Sequence, residues 1–299
     1  MSARVTCVGL AVQDLVFSMG EPVLLGEKNF ATALGAVGGG PAANAAVAIA
    51  SLGGEASLVT ALGHDAIGDE ILTEIASHGV DCTRVRRTDA PSPLSAVIIS
   101  PDGDRTIFNR TDPALWSIAD PPTADELAGS DAILVDVRWP QGALAAIRCA
   151  ATLGVPGVVD ADLTDAPLSE ELLASASHVV FSQPAFERLT AFTTPASVEA
   201  AARRYGGVVA VTKGSDGVLW SDGGTTRHVE AFRVRAVDTL GAGDVFHGAF
   251  ALGLAEGRDL DDIVGWSSAV AAVKCGRGGG RSGFPSRADV DEFLEGSAS

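Results

Sequence analysis

The sequence predicts an α/β protein of three layers, in which a central, mostly parallel sheet is covered by helices on both faces. From about residue 131 onward, short apolar runs alternate with segments of helical spacing. The runs that we interpret as buried strands span 132–137, 157–160, 178–182 and 208–212. Such alternation is typical of parallel sheets, because each crossover connection places a helix against one face of the sheet. The 35 glycines fit a fold with many tight junctions between strands and helices.

Composition narrows the class of protein further. The chain has 21 basic and 38 acidic residues, a formal net charge of −17, and 46% hydrophobic residues. This acidity disfavours a nucleic-acid partner, which would require a basic surface. The N-terminus lacks a basic-then-apolar signal and no apolar run reaches about 18 residues, so we expect a cytoplasmic protein with no membrane partner. The cysteines show no paired spacing, which favours reduced thiols over a zinc site or disulfides.

Two N-terminal segments predict a ligand site at one edge of the sheet. Residues 4–10 form the first strand, and Asp14 follows its end, where open α/β sheets bind ligands. Asp14 is therefore placed to bind hydroxyl groups, although a turn aspartate is an equally good interpretation. A glycine run at 37–40 then leads into an alanine-rich helix. Gly39 and Gly40 would let a ligand lie against the main chain and Asn44 would bind a hydroxyl, unless the glycines only serve close helix packing.

A small second sheet is predicted above this edge. Residues 15–36 contain short stretches in which apolar and polar residues alternate, which indicates strands. Residues 95–100 and 105–109 form a strand–turn–strand pattern around the turn at Pro101–Asp104. The lid strands would come from about 11–36 and 94–112. Such a lid excludes water, which would otherwise compete with the intended acceptor in a transfer reaction.

The segment Val237–Gly248 carries the strongest indication of chemistry. Gly241, Ala242 and Gly243 precede Asp244 and an apolar run of helical spacing. If a helix begins near Ala242, its first N–H groups have no partner and suit an anion. A carboxylate beside an anion site would repel the ligand, which favours a role for Asp244 as a base that deprotonates an attacking hydroxyl. An ordinary helix cap is the alternative for a shorter motif.

The pattern Asp-Thr-x-Gly-Ala-Gly-Asp at 238–244 resembles the second signature of the phosphofructokinase-B, or ribokinase-like, carbohydrate kinases. Residues 37–50 resemble the first signature, and the likeness extends over nearly the whole chain. The resemblance implies a single ribokinase-like kinase domain at 1–295. From the sequence itself we expect a short flexible tail at 296–299. It also implies ATP and Mg²⁺, with Asp244 as general base and the amides of residues 241–244 as the anion hole.

The same resemblance places the nucleotide. The turn after strand 208–212 suits phosphate contacts, although a plain β-turn is the alternative, and the family pattern favours nucleotide binding by Thr212, Lys213, Gly214, Ser215 and Gly217. The helix at 260–275, with Ala271 and Lys274, would flank the adenine. In similar kinases the loop that follows this helix binds a monovalent cation together with the residue matching Asp238, which implies a K⁺ site.

One departure from the family pattern concerns the metal. Many ribokinase-like enzymes carry Asn-x-x-Glu after the strand near residue 180, whereas here the segment is Ser182–Ala185. Glu187 lies two positions later and would replace the missing glutamate only if the backbone shifts. Both residues that help to organise magnesium in the family are therefore replaced in this sequence.

Three further residues bear on the substrate: Lys28, Asn109 and Arg138. Two cations and an amide that converge on a substrate suggest an anionic group, to which arginine makes bidentate contacts. Their order resembles the sulfonate-binding residues of bacterial 6-deoxy-6-sulfofructose kinases, which implies formation of the sugar 1-phosphate. Alternatively, Lys28 is a solvated charge and Arg138 forms an internal salt bridge.

Other substrates and roles stay open. A fructokinase, ketohexokinase, ribokinase or 6-phosphofructokinase would use the same motifs. A nucleoside kinase would need an aromatic platform for the base, and aromatic residues are only 5% of the chain. The intact Gly-Ala-Gly-Asp argues against a non-catalytic sugar sensor. We further predict a homodimer, because two lid sheets can pair and cover their outer faces.

Overall fold

The computed structural model describes residues 2–297. Within them the main sheet has strands β1 (Arg4–Val8), β4 (Glu55–Val59), β9 (Ala132–Asp136), β10 (Gly157–Ala161), β11 (His178–Ser182), β12 (Val208–Thr212), β13 (Val218–Ser221) and β14 (Arg227–Val229). Their spatial order is β14-β13-β12-β11-β10-β9-β1-β4. The strands from β12 to β4 are parallel, while β13 and β14 extend the sheet antiparallel. The predicted mostly parallel sheet is confirmed.

The second sheet consists of β2 (Val12–Met19), β3 (Ala31–Gly39), β7 (Leu94–Ile99) and β8 (Arg105–Arg110) in the order β3-β2-β7-β8. Its register places Asp14 beside Ser95 and Ser95 beside Asn109. Since directly paired residues of neighbouring strands project to the same face, these three side chains lie on the same side of the sheet. A separate short pair joins β5 (Ala61–Gly63) to β6 (Arg86–Thr88).

Helices cover both faces of the main sheet. They are α1 (Pro41–Ser51), α2 (Ala66–Ser77), α3 (Pro113–Ile118), α4 (Ala124–Leu127), α5 (Pro140–Leu153), α6 (Glu170–Ser175), α7 (Gln183–Thr190), α8 (Pro195–Tyr205), α9 (Ala242–Ala255), α10 (Leu260–Cys275) and α11 (Arg287–Ser297). Helices α1, α9 and α10 share one apolar core, and α5 to α8 share the other.

Alternation along the strands produces the two cores. In β9, Leu134 points to the core shared with α1 and α9, whereas Ile133 and Val135 point to the core beneath α5. All three are essentially inaccessible to water, and burial of each such side chain stabilises the fold by about 1.5–3 kcal/mol. The apolar runs therefore form a sheet that is buried on both faces, as predicted.

The C-terminal boundary differs from the sequence prediction. The sequence indicated a flexible tail at 296–299, but Gly296 and Ser297 continue helix α11. Ala298 and Ser299 lie outside the described residues. In residues 2–297, no helix combines the length and the apolar character that crossing a membrane requires.

Candidate active site

Asp244 lies in the first turn of α9, at the carboxyl edge of the main sheet. The helix begins after Gly241, whose φ of 73° is a left-handed conformation that favours glycine. The Ala242 amide donates to the Thr239 carbonyl over 3.3 Å. The following amides, of Gly243 and Asp244, lack an acceptor in the preceding turn and carry the positive end of the helix dipole. This arrangement suits an anion, and two of the predicted amides remain free to bind it.

A direct hydrogen bond joins the two signature segments. The Asn44 side-chain amide donates to Asp244 Oδ2 over 2.6 Å. A Cβ atom added to Gly241 would lie 3.4 Å from Asn44 Nδ2 and 3.6 Å from Asp244 Oδ2. The main chain at the helix start therefore lies close to both side chains, and α1 packs against α9.

The environment of Asp244 changes its acidity. Burial, followed by the charge of Asp160, raises the pKa of Asp244 to about 6, although the Asn44 amide and His247 act in the opposite direction. His247 is itself buried, with Nδ1 3.2 Å from Asp160 Oδ2. Burial alone would lower the pKa of His247, but the charges of Asp160 and Asp244 raise it above its ordinary value. A base with a pKa moved toward neutrality suits proton transfer.

Asp14 and the glycine run form the floor next to this base. A Cβ atom added to Gly39 would lie 2.3 Å from Asp14 Oδ2, and one added to Gly40 would lie 2.3 Å from the Leu10 carbonyl oxygen. Gly40 also has a φ of 97°. Burial raises the pKa of Asp14, while Ser95 and Arg281 partly oppose this shift. Glycine is therefore required at position 40 on steric grounds, whatever ligand the floor binds, and Gly39 leaves room for the Asp14 carboxylate.

Arg281, in the C-terminal part of the chain, hydrogen-bonds two residues of this floor. Its Nε donates to Asn44 Oδ1 over 2.9 Å, and one terminal nitrogen donates to the Gly39 carbonyl over 2.8 Å. The other terminal nitrogen pairs with Glu74. Because Arg281 fixes the Asn44 oxygen, the Asn44 nitrogen is left to face Asp244.

Asp136 connects the floor to the neighbouring strand end. Its carboxylate accepts from the amides of Leu10 at 2.7 Å, Ala42 at 3.1 Å and Arg138 at 2.8 Å. Burial raises the pKa of Asp136 to about 6, although these amides act to lower it. The contacts fix the backbone of Arg138 relative to the start of α1.

The three residues proposed to bind an anion occupy different environments. Asn109 lies beside the floor, since Ser95 Oγ donates to Asn109 Oδ1 over 2.8 Å in the row that contains Asp14. Arg138 makes a loose ion pair, 3.4 Å, with Asp162, and its side chain is 30% exposed. Lys28 is exposed in the connection between β2 and β3, and no hydrogen bond or ion pair of the described residues joins it to Asn109 or Arg138.

A cavity of about 970 Å³ runs from the start of α9 to the turn between β12 and β13. Six of the residues predicted to bind nucleotide line it: Thr212, Lys213, Gly214, Ser215, Gly217 and Ala271. Ala242 and Gly243 line it as well, so the cavity opens onto the free amides. Phe232 and Phe246, which the sequence analysis did not select, add apolar surface. The size and the lining suit a molecule of nucleotide dimensions.

Three residues with predicted cofactor or metal roles contact other protein side chains. Lys274 does not line this cavity; its side chain is fully buried and its ammonium lies 3.0 Å from Asp238 Oδ2. Asp238, proposed to bind a monovalent cation, instead pairs with Lys274 and with Arg105 at 2.8 Å. Glu187, proposed for magnesium, accepts from Gln183 Nε2 over 2.8 Å.

A family model for pfkB family carbohydrate kinases matches residues 2–287, almost the whole described chain. The chain belongs to the pfkB family of carbohydrate kinases. It is therefore a phosphotransferase with an alcohol group as acceptor, and the ribokinase-like fold predicted from the two signatures is confirmed.

Relatives of this kinase agree with that assignment. The ribokinase of Haemophilus influenzae is 29% identical over 269 residues, which cover 86% of this chain and 87% of the relative. The ribokinase of Bacillus subtilis is 27% identical and covers 97% of this chain and 99% of its own. A crystal structure of a candidate ribokinase from Agrobacterium tumefaciens is 37% identical, covers 100% of both chains and superposes with a TM-score of 0.94.

Several residues of the kinase's site were missed by the sequence analysis as functional candidates. Asp160 and His247 form the buried pair beside Asp244, Asp136 links three segments, and Arg281 orients Asn44. One local indication was available for His247: it follows Asp244 by three positions, so both lie on the same face of a helix. The other contacts join segments that are far apart in the sequence.

Proposed function

We propose that this kinase transfers the γ-phosphoryl group of ATP to a primary hydroxyl of a ketose. The observation that carries the proposal is the position of Asp244, which faces Asn44 next to the free amides of α9. As the bond between the sugar oxygen and the γ-phosphorus forms, the bond from that phosphorus to the departing ADP breaks. The hydroxyl proton passes to the Asp244 carboxylate, while the Gly243 and Asp244 amides stabilise charge on the transferred group.

Magnesium fits the site as an ion that arrives with the nucleotide. In residues 2–297, no group of three or more His, Cys, Asp or Glu side chains is placed to hold a metal by itself. Mg²⁺ commonly binds through one or two carboxylates, waters and substrate phosphates. Asp162, which is held by Ser182 at 2.8 Å and acts on the pKa of Asp244, would supply a carboxylate. The ion would neutralise charge on the phosphates.

The proposed substrate is 6-deoxy-6-sulfofructose, phosphorylated at O1. Asp14 and Asn44 would bind sugar hydroxyls on the floor. Arg138, fixed to this floor through Asp136, has a partly exposed guanidinium whose only protein ion pair in the described chain is long, at 3.4 Å. Such a weak pair can be exchanged for a substrate anion at little cost. Asn109 would add an amide contact from the lid.

A sugar panel tests this proposal. ADP release would be followed with ATP and 6-deoxy-6-sulfofructose, fructose 6-phosphate, fructose or ribose. Arg138→Ala should lower kcat/KM for the sulfonated ketose about 10- to 100-fold, the value of a charged hydrogen bond, and leave fructose nearly unchanged. Arg148→Ala is the matched control, because Arg148 pairs with the exposed Glu171 on α6. An equal loss for all sugars would contradict anion binding by Arg138.

Ribose phosphorylation is the second candidate. The relatives from Haemophilus influenzae and Bacillus subtilis are ribokinases, and Asp14 with Asn44 suits neutral hydroxyls equally well. Highest kcat/KM with ribose, together with insensitivity to Arg138→Ala, would favour this function. A preference for fructose 6-phosphate over the sulfonate would instead identify a 6-phosphofructokinase.

We also propose a homodimer through the lid sheets. Leu34 and Phe108 lie on the face of the lid opposite to Asp14 by strand alternation. They are 64% and 62% exposed. A second copy of the lid would cover this apolar face. The mass in solution tests the proposal, and Phe108→Lys should give the monomer mass.

A further inference from the structure

A lysine ammonium occupies the position at which the family resemblance implied a monovalent cation. Lys274, in the last turn of α10, is 0% exposed. Its Nζ donates to the Asp238 carbonyl oxygen over 2.9 Å and lies 3.0 Å from Asp238 Oδ2. An unpaired buried ammonium would be strongly unfavourable, so these contacts are needed to keep the charge inside the protein.

Asp238 anchors the loop that leads into the anion site. Its Oδ1 accepts from the Leu240 amide over 3.0 Å and from Arg105 over 2.8 Å. The Cys275 carbonyl accepts from the amides of Val237 at 2.8 Å and Asp238 at 3.2 Å. The start of α9 is thereby tied to the end of α10, and Arg105 adds a link to lid strand β8.

A potassium ion does not fit this arrangement. The carbonyl and carboxylate oxygens of Asp238 that would coordinate the ion already face Lys274, and Arg105 supplies a second positive charge. Burial acts to raise the pKa of Asp238, but the Leu240 amide, Lys274 and Arg105 together lower it below its ordinary value. A third cation at the same carboxylate would be repelled by the two present.

We propose that the Lys274 ammonium is a built-in replacement for the monovalent cation, so that the loop before α9 is ordered without K⁺. The ammonium supplies the same single positive charge and binds the same kind of oxygen. Because it is covalently attached, its occupancy does not depend on the salt composition. Lys274 is thus a positioning residue that acts through Asp238 on the Gly243 and Asp244 amides.

The test is whether K⁺ changes the activity or the thermal stability of the whole chain, and two quantities are measured. The first is kcat/KM with the best sugar of the panel; the second is the thermal midpoint of unfolding without substrates. Both would be recorded in tetramethylammonium chloride and in KCl at equal ionic strength. The unaltered kinase should give equal values in both salts. Lys274→Ala should lose about 10²-fold in kcat/KM, comparable to loss of one anion-stabilising donor, and KCl should restore part of the activity and raise the midpoint.

Lys274→Met is the matched variant, because its side chain fills the space without a charge and should not respond to KCl. Activation or stabilisation of the unaltered kinase by KCl would overturn the proposal, as would a folded Lys274→Ala that KCl does not affect. If Lys274→Ala does not fold, the comparison of the unaltered kinase in the two salts still tests the proposal. The expected change in kcat/KM rests on the proposed function of the Gly243 and Asp244 amides, whereas the expected change in the thermal midpoint does not. Failure of the proposed function can therefore be distinguished from failure of the cation replacement.

Discussion

His247 Nδ1 lies 3.2 Å from Asp160 Oδ2, and both side chains are only 4% exposed. The pair connects β10 to α9 directly behind Asp244. Buried pairs of this kind contribute little net stability, because desolvation offsets much of their attraction. Their charges nevertheless act strongly on a third group in the same low-dielectric region. We therefore expect the pair to influence the acidity of Asp244 more than the stability of the fold.

The pH dependence of turnover should report this arrangement. Since burial and Asp160 raise the pKa of Asp244 to about 6, kcat/KM should fall as the pH decreases through about 6 and the base becomes protonated. His247 acts to lower the pKa of Asp244, so His247→Asn should move the acidic limb to higher pH. His64→Asn, at an exposed position, should leave the profile unchanged. An unshifted limb in a folded His247→Asn would argue against this coupling.

Asp244→Asn should separate catalysis from stability. Without a proton acceptor, kcat should fall about 10²- to 10⁴-fold, while ATP and sugar should still bind in calorimetry. The folded-state pKa of Asp244 lies above its unfolded value, so this group reduces stability progressively as the pH rises from about 4 through 6. The thermal midpoint of the variant, relative to the unaltered kinase, should therefore be higher at pH 8 than at pH 4. Near-normal turnover would exclude Asp244 as the base.

Local patterns predicted the elements well and the long-range contacts poorly. Apolar runs and glycine stops located β9, β11, α9 and α10 almost to the residue, because burial and chain reversal leave local signatures. Arg281 hydrogen-bonds Gly39, which is 242 positions away in the sequence, and Asp136 hydrogen-bonds Ala42, which is 94 positions away. No local sequence pattern predicts such pairs. Charge type alone also could not show that Lys274 faces Asp238 rather than the nucleotide cavity.

Two helical glycines allow a steric test of the anion site. A Cβ atom added to Gly243 or to Gly265 would meet nothing within 4 Å. Alanine at either helical position should preserve folding, or stabilise it by about 0.4–1 kcal/mol. At Gly243 the added methyl group would enter the cavity where the phosphoryl group is proposed to bind, so Gly243→Ala should raise KM for ATP and lower kcat. Gly265→Ala, in the middle of α10, should retain activity. Equal activities would place the phosphoryl group elsewhere.

Two glycines of strand β3 test whether Arg281 organises the sugar floor. A Cβ atom added to Gly38 would lie 2.2 Å from an Arg281 terminal nitrogen, whereas one added to Gly35 would meet nothing within 4 Å. Gly38→Ala should displace the guanidinium from Asn44, weakening the orientation of the amide that faces Asp244 and raising KM for the sugar. Displacement would also leave the buried guanidinium incompletely paired, so the thermal midpoint should fall. Gly35→Ala, on the same strand, should change neither value. If Gly38→Ala lowers the midpoint but leaves KM for the sugar unchanged, Arg281 stabilises the fold without ordering the floor.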